Sequence, residues 1–320
     1  MGLGIKRQIK RVMWQVAPWL ISRLQPSSIR QGELSIGIYI GKSPCSIVPS
    51  ERISNPVLRR NHVADVPAAY VADPFMVQSN NLWHMFFEVM NRRTEKGEIG
   101  LAISENGIEW TYQQIVLAES FHLSYPYVFE WRNEYYMIPE SWKGGGVRLY
   151  KATEFPEHWL CVGHLLEGGR FVDSSIFRYQ GRWWLFTAAR MASSPPTLRL
   201  FSAEELMGTW LEHPDSPIVE SNPHIARPSG RVLVVGETPI RYAQDIFPVY
   251  GSQVRAFEIL ELTPTTYKER QVGAEPILTT GGATWNSGGM HHIDAHLLEN
   301  GTWMACVDGF PRHNSESPMG

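Results

Sequence analysis

Charged residues are scarce in this chain of 320 residues: they make up 19%, against a usual share of about 25%, while 43% are apolar and 12% aromatic. Disorder over most of the chain is thereby excluded, because such a composition can bury a large core. No apolar run reaches the roughly 18 residues that a membrane-spanning helix needs. Cysteine is nearly absent, and Cys45, Cys161 and Cys306 lie far apart in apolar contexts, which excludes a disulfide framework or a zinc signature and fits a reducing, cytoplasmic compartment. A net charge of −3 excludes an overall basic nucleic-acid binder. Also missing are a P-loop, a dinucleotide fingerprint, an HExxH pair and a nucleophile elbow, so neither a cofactor nor a metal is expected.

The small net charge hides an asymmetry. Residues 1–30 hold Lys6, Arg7, Lys10, Arg11, Arg23 and Arg30 and no acid, so a +6 leader precedes a remainder of −9. Within the leader, Ile5, Ile9, Met13, Trp14 and Val16 fall at helical spacing between the basic residues, and Pro18 ends or kinks the helix. A short basic amphipathic helix of this kind lies on an anionic membrane surface, here the inner face, or docks on its own domain or a partner. Gln15 and the lack of a small-residue cleavage site argue against a secretory signal.

What is abundant is a repeat. VADPFMVQSNNLWHMFFE, LSYPYVFEWRNEYYMIPE and FVDSSIFRYQGRWWLFTA align without gaps. Asp73, Tyr125 and Asp173 share one position; ten residues on come Trp83, Tyr135 and Trp183, and fifteen residues on Glu88, Glu140 and Ala188. IARPSGRVLVVGE, ending at Glu237, reads as a shortened fourth copy, and HIDAHLLENGTWMACVD, with Asp308 five after Trp303, as a fifth. Each copy has the turn and β-branched or aromatic content of a hairpin. IGLAISENGIEW, VRLYKATEFPEHW, LRLFSAEELMGTW and VRAFEILELTPTTY supply two further strands after the first four. Four strands about every 50 residues is the pattern of a β-propeller blade. The fifth hairpin has no partner after it, and residues 34–58, LSIGIYIGKSPCSIVPSERISNPVL, have the missing strand character. The expectation is all-β: a five-bladed β-propeller over 31–310, closed by N-terminal strands, with the leader helix over 1–30 and a tail over 311–320.

In a propeller the innermost strands line a central channel, so the starts of the hairpins converge. Asp73, Asp173 and Asp294 occupy such starts, although Asp294 also reads as a strand-capping residue; Glu88 and Glu140, on the next strand, either reach the same cavity or lie outside it. Carboxylates meeting in a desolvated pocket push their pKa values apart, which suits acid and base work on a glycosidic bond. Asp73, Glu140 and Asp173 are therefore the candidate catalytic residues. Blade four carries Arg227, Arg231, Arg241, Gln244 and Asp245 where other blades are apolar, and arginine forks match phosphate or carboxylate. His122 sits just before the blade-two strand, and His291 and His292 open blade five. Adjacent strand residues face opposite ways, which argues against a metal shared by that pair. Candidate substrate-binding residues are His122, Tyr125, Arg227, Arg241, Gln244, Asp245, His291 and His292.

The layout, with ADP opening blade one, resembles the propeller of family 43 glycoside hydrolases. More specifically, VADPFMV, FFEV, GEIGLAIS, FHLSYPYVFE, YYMIPES, RLYKA, ARPSGR and the closing HH and VDG segments resemble the N-terminal domain of plant glucosamine inositolphosphorylceramide transferases and its bacterial stand-alone counterparts. The resemblance implies a carbohydrate-active protein with its site in the channel. It places Asp73 at the hydrolases' general base, Tyr125 where they carry an aspartate that tunes the acid, and Asp173 where they carry a glutamate acid. Two of three positions are altered, which argues against simple hydrolysis. The first expectation is a glycosyltransferase of surface polysaccharide or glycolipid biosynthesis, taking a nucleotide- or lipid-linked sugar donor and a glycan or glycolipid acceptor. A family 43-like hydrolase and a non-catalytic glycan-binding module that partners a separate transferase are the alternatives.

Overall fold

The structure is a computed structural model that describes residues 34–189 and 195–312. The leader helix expected over 1–30 and most of the tail lie outside the described residues. In chain order come β1 (Ser35–Ser43) and β2 (Ser46–Pro49), then four blades: β3 (Ala68–Ser79), β4 (Leu82–Asn91), β5 (Lys96–Ser104) and β6 (Thr111–Leu117); β7 (Ser124–Trp131), β8 (Glu134–Glu140), β9 (Gly146–Glu154) and β10 (His158–Glu167); β11 (Phe171–Tyr179), β12 (Arg182–Ala189), β13 (Thr197–Ala203) and β14 (Leu211–Glu212); and β15 (Arg227–Pro228), β16 (Leu233–Val235), β17 (Thr238–Asp245), β18 (Gln253–Leu262) and β19 (Tyr267–Gln271). β20 (Ile293–Leu297) and β21 (Trp303–Gly309) follow.

Five antiparallel sheets result, and the fifth runs β2-β1-β21-β20. The first strands of the chain thus complete the blade that its last strands begin, with Ser35 opposite Gly309 and Gly41 opposite Trp303. The ring is an all-β five-bladed propeller, as the repeat requires.

Local chemistry explains the hairpins. Asn80-Asn81, Arg132-Asn133 and Gln180-Gly181 all have positive φ, the backbone of a two-residue turn matching the strand twist. Second strands such as β4, LWHMFFEVMN, are buried on both faces because neighbouring blades cover them, whereas β6 alternates as an outer strand does. Phe75 and Phe86 of blade one interleave with Tyr127, Val128 and Met137 of blade two and Ile176 of blade three. Each such burial contributes about 1.5–3 kcal/mol.

Asp73, Tyr125 and Asp173 sit in the left-handed region, at φ 52, 49 and 50, and each lies in a bulge where the pairing register shifts. A bulge beside a site re-aims a side chain, and a repeated left-handed residue without glycine marks a constrained position. The strand partners Ala72↔Glu88, Ser124↔Glu140, Val172↔Ala188 and Arg227↔Gln244 then place the other repeat position beside it. This corrects the fourth copy: exposed Glu237 lies in the β16–β17 turn, and Gln244 holds the equivalent place.

Candidate functional site

Arg227 organises one side of the channel. Its guanidinium forks onto Asp173, pairing through Nε and donating from Nη2 to Oδ1 at 3.2 Å, and Nη2 lies 3.9 Å from Glu140 Oε2. Gln244 Nε2 donates to Asp173 Oδ2 at 3.0 Å. Glu140 Oε2 is buried and makes no hydrogen bond within the protein. Burial, reinforced by the Asp173 charge and only partly opposed by Arg227, pushes the Glu140 carboxyl up to about 8, so it holds its proton at neutral pH.

Asp73 is treated in the opposite way. Its Oδ1 lies 3.2 Å from His291 Nε2, and His291 Nδ1 lies 2.8 Å from Asp308 Oδ1. Burial alone would raise Asp73, but the hydrogen bond and charge of His291, with His292 and Arg227, bring it down to about 2. Burial likewise works against the His291 cation, yet Asp308 and Asp73 raise its pKa to about 10. The Asp73 backbone N–H donates to Asp308 Oδ2 at 2.9 Å, so the same carboxylate fixes the bulge and the histidine. Asp73, His291 and Asp308 offer ligand atoms within 4.8 Å of one another, the spacing of a metal site. Both imidazole nitrogens face carboxylates, whose charges favour the protonated ring, so a metal here would compete with a proton. His291 and His292 both precede β20 and both approach Asp73, at 3.2 and 3.9 Å, so strand alternation does not separate them as the sequence suggested.

A second carboxylic acid lies alongside. Tyr70 donates its hydroxyl to Glu88 Oε1 at 3.1 Å, and His122 Nε2 is 3.5 Å from the same oxygen. Burial, then the charges of Asp73 and Glu140, raise the Glu88 pKa. His122 Nδ1 accepts from Gly97 N–H at 2.8 Å; burial and then Lys143 lower its pKa to about 4, so the neutral ring turns an N–H toward Glu88. A Cβ at Gly97 would stand 2.1 Å from the Leu123 carbonyl and 2.7 Å from Glu88, hence the glycine.

Among the carboxylates, Asp73 and Glu140 keep 11% and 10% of their side chains exposed, against 2% for Asp173 and none for Asp308. The first two can reach a substrate; the others position cations. Tyr250, on the loop after β17, lies across them, with Arg227 5.1 Å from its ring and His291 5.5 Å away.

Several residues expected to bind substrate are bonded within the protein. Tyr125 is buried, bonding Ser175 Oγ at 2.8 Å and both backbone atoms of Gly230, and so ties blades two, three and four together. Gly230, at φ 134, would bring a Cβ within 1.7 Å of the Ile293 carbonyl, so no other residue closes the ring there. His292 is buried and its Nε2 lies 2.9 Å from the Pro74 carbonyl. Arg241 is committed to Glu269 at 2.5 and 2.6 Å inside blade four, away from the channel cluster. Asp245 is held by His224, Gln253 and the Phe247 N–H, anchoring the Tyr250 loop. Asp294, paired with Arg231 at 2.7 Å and His296 at 2.9 Å, also accepts from Met76 N–H at 2.7 Å and joins blade five to blades one and four. The structure brings together Asp73, Glu140, Asp173, Arg227, Gln244, His122 and His291. Sequence reasoning missed Tyr70 and Tyr250, which lie outside the repeat; it left open whether Glu88 reaches the channel and read Asp308 as a repeat position without a role.

The model of the family "Glucosamine inositolphosphorylceramide transferase 1, N-terminal" matches residues 27–310. The chain belongs to this family. Glucosamine inositolphosphorylceramide transferase 1 of Oryza sativa subsp. japonica is 36% identical over 300 residues, and that of Arabidopsis thaliana 31% over 299. The alignments take in 87% of this family member but 40% and 39% of those relatives, so it spans about two fifths of their length. Among solved structures, a thermostable family-43 glycoside hydrolase superposes with a TM-score of 0.58 at 13% identity, over 84% of this chain and 98% of that one. A family 117 glycoside hydrolase from Zobellia galactanivorans gives 0.51 at 12%, over 88% and 92%. At these identities the hydrolases share the fold with this transferase-family propeller.

Proposed function

We propose that this propeller is a glycosyltransferase acting on a sugar held in its channel during surface polysaccharide or glycolipid assembly. The observation that carries the reading is the pairing of a protonated Glu140 with an ionised Asp73, two carboxyls of residual exposure whose surroundings drive their pKa values to about 8 and about 2. Glu140 gives its proton to the departing oxygen as the bond to the anomeric carbon breaks. Asp73 opposes the positive charge that builds on the sugar and takes the proton of the acceptor hydroxyl as the new bond forms. Asp173 serves as the positioning residue for Arg227 rather than as the acid. The donor is nucleotide- or lipid-linked and the acceptor a glycan or glycolipid. The basic leader would hold the protein at the inner face of an anionic membrane. The names of the curated relatives support transfer.

Glu140→Gln and Asp73→Asn are expected to lower sugar transfer from labelled donors by about 10²–10⁴-fold each. Unchanged transfer in both variants would overturn the assignment, and release of free sugar to water in place of transfer would convert it to hydrolysis.

A further inference from the structure

The channel is a poor place for an anion. Asp73, Asp173 and Asp308 crowd it, and the groups that could meet an anion, Arg227 and His291, already face those carboxylates. A phosphate that is not part of the breaking bond must therefore be recognised off the channel.

Such a place exists on the same face of the ring. Leu34 packs with Ala72, Phe310 and Tyr70, and Tyr70 reaches Glu88, so the start of β1 lies beside the channel mouth. There a cavity of about 580 Å³ is lined by Arg59, Arg60, Asn61, Asn55, Thr284 and Trp285. Arg59 and Arg60 are exposed and, among the described residues, have no acidic partner. The floor is fixed: Asn55 donates to the Ile38 carbonyl at 2.9 Å and accepts from its N–H at 2.7 Å, and Trp285 is 6% exposed, edge-on to Tyr39 at 6.5 Å. A smaller cavity of about 220 Å³ shares Asn55 and Trp285 and is lined by Asn286, whose buried Oδ1 has no partner.

The geometry points to a phosphate subsite here, with the two guanidinium forks gripping the anion and Asn61 and Thr284 completing its hydrogen bonds. It rests on the reading of the channel as a sugar site, and it adds the anionic part of the substrate: a phosphomonoester on a sugar or the phosphodiester of a lipid headgroup.

Titration calorimetry of the full chain with inorganic phosphate tests this without turnover. Binding in the millimolar range or tighter is expected, weakened about tenfold or more in Arg59→Gln/Arg60→Gln with an unchanged Tm. Competition by glycerophosphoglycerol assigns the anion to a headgroup diester, and failure to compete assigns it to a monoester. Phosphate binding that is absent, or that survives the arginine variant and is lost in Asp73→Asn/Glu140→Gln, overturns the subsite. Phosphate binding lost in the arginine variant while Asp73→Asn/Glu140→Gln still transfers sugar would keep the subsite and sink the catalytic assignment alone.

Discussion

The two sides of the channel handle the same kind of residue differently. On the side of blades one and two, Glu88 and Glu140 lack a full cationic partner, and burial raises the pKa of both, that of Glu140 to about 8. On the side of blades three to five, Asp173 is matched with Arg227, Asp294 with Arg231, and Asp308 with His291. Asp73 belongs to blade one but draws its partner from blade five, and so stands where the two sides meet. The repeat decides where a carboxyl stands; the neighbouring blade decides whether it keeps its proton. One side stores protons and the other stores fixed charge, and acid–base chemistry needs both within reach of one substrate.

The largest test of this contrast breaks the charge-matched side. Arg227→Met leaves Asp173 buried without its cation, and a loss of about 3–5 kcal/mol is expected in denaturant unfolding. Glu140→Gln on the proton-storing side should leave stability nearly unchanged, since the native group is already neutral at pH 7. Equal losses in the two variants would erase the distinction.

A smaller effect should appear in the pH profile of transfer. Glu140 works as an acid while protonated, so kcat/KM should fall about tenfold per pH unit above roughly 8, whereas the Asp73 limb, near 2, lies below the working range. A profile flat to pH 10 would remove Glu140 from the acid role.

The smallest effect concerns stability. The His291 pKa is raised in the fold from an ordinary 6.5 to about 10, so its contribution is complete below pH 6.5 and is lost as pH rises through 10. His291→Asn should flatten the fall in Tm over that window by a few degrees. A slope unchanged by the substitution would mean that the imidazole does not hold its proton between Asp73 and Asp308.

The ring was legible because hairpin offsets of ten and fifteen residues survive three times without a gap, and because an orphan hairpin at one end matched orphan strands at the other. Asp73, Glu140 and Asp173 were legible as candidates for the same reason, as carboxyls at fixed repeat positions, and Arg227 as a departure of blade four from the pattern. The three blade-four arginines looked alike in sequence, yet Arg227 meets Asp173, Arg231 meets Asp294 and Arg241 meets Glu269. These acids come from three different blades, and no local pattern encodes the pairing. Left-handed backbone at Asp73, Tyr125 and Asp173 also left no mark, because none of the three is glycine. Tyr250 escaped since it lies on the β17–β18 loop, outside the hairpins that the repeat aligns.

Closure of the ring by β1 and β21 has a consequence for anything joined to it. Leu34 and Pro311 both line the cavity beside the channel mouth, so the described stretch begins and ends at one rim. A group held at that rim would face the channel at an effective concentration on the order of millimolar. The blade that locks the fold thus also borders the mouth of the channel.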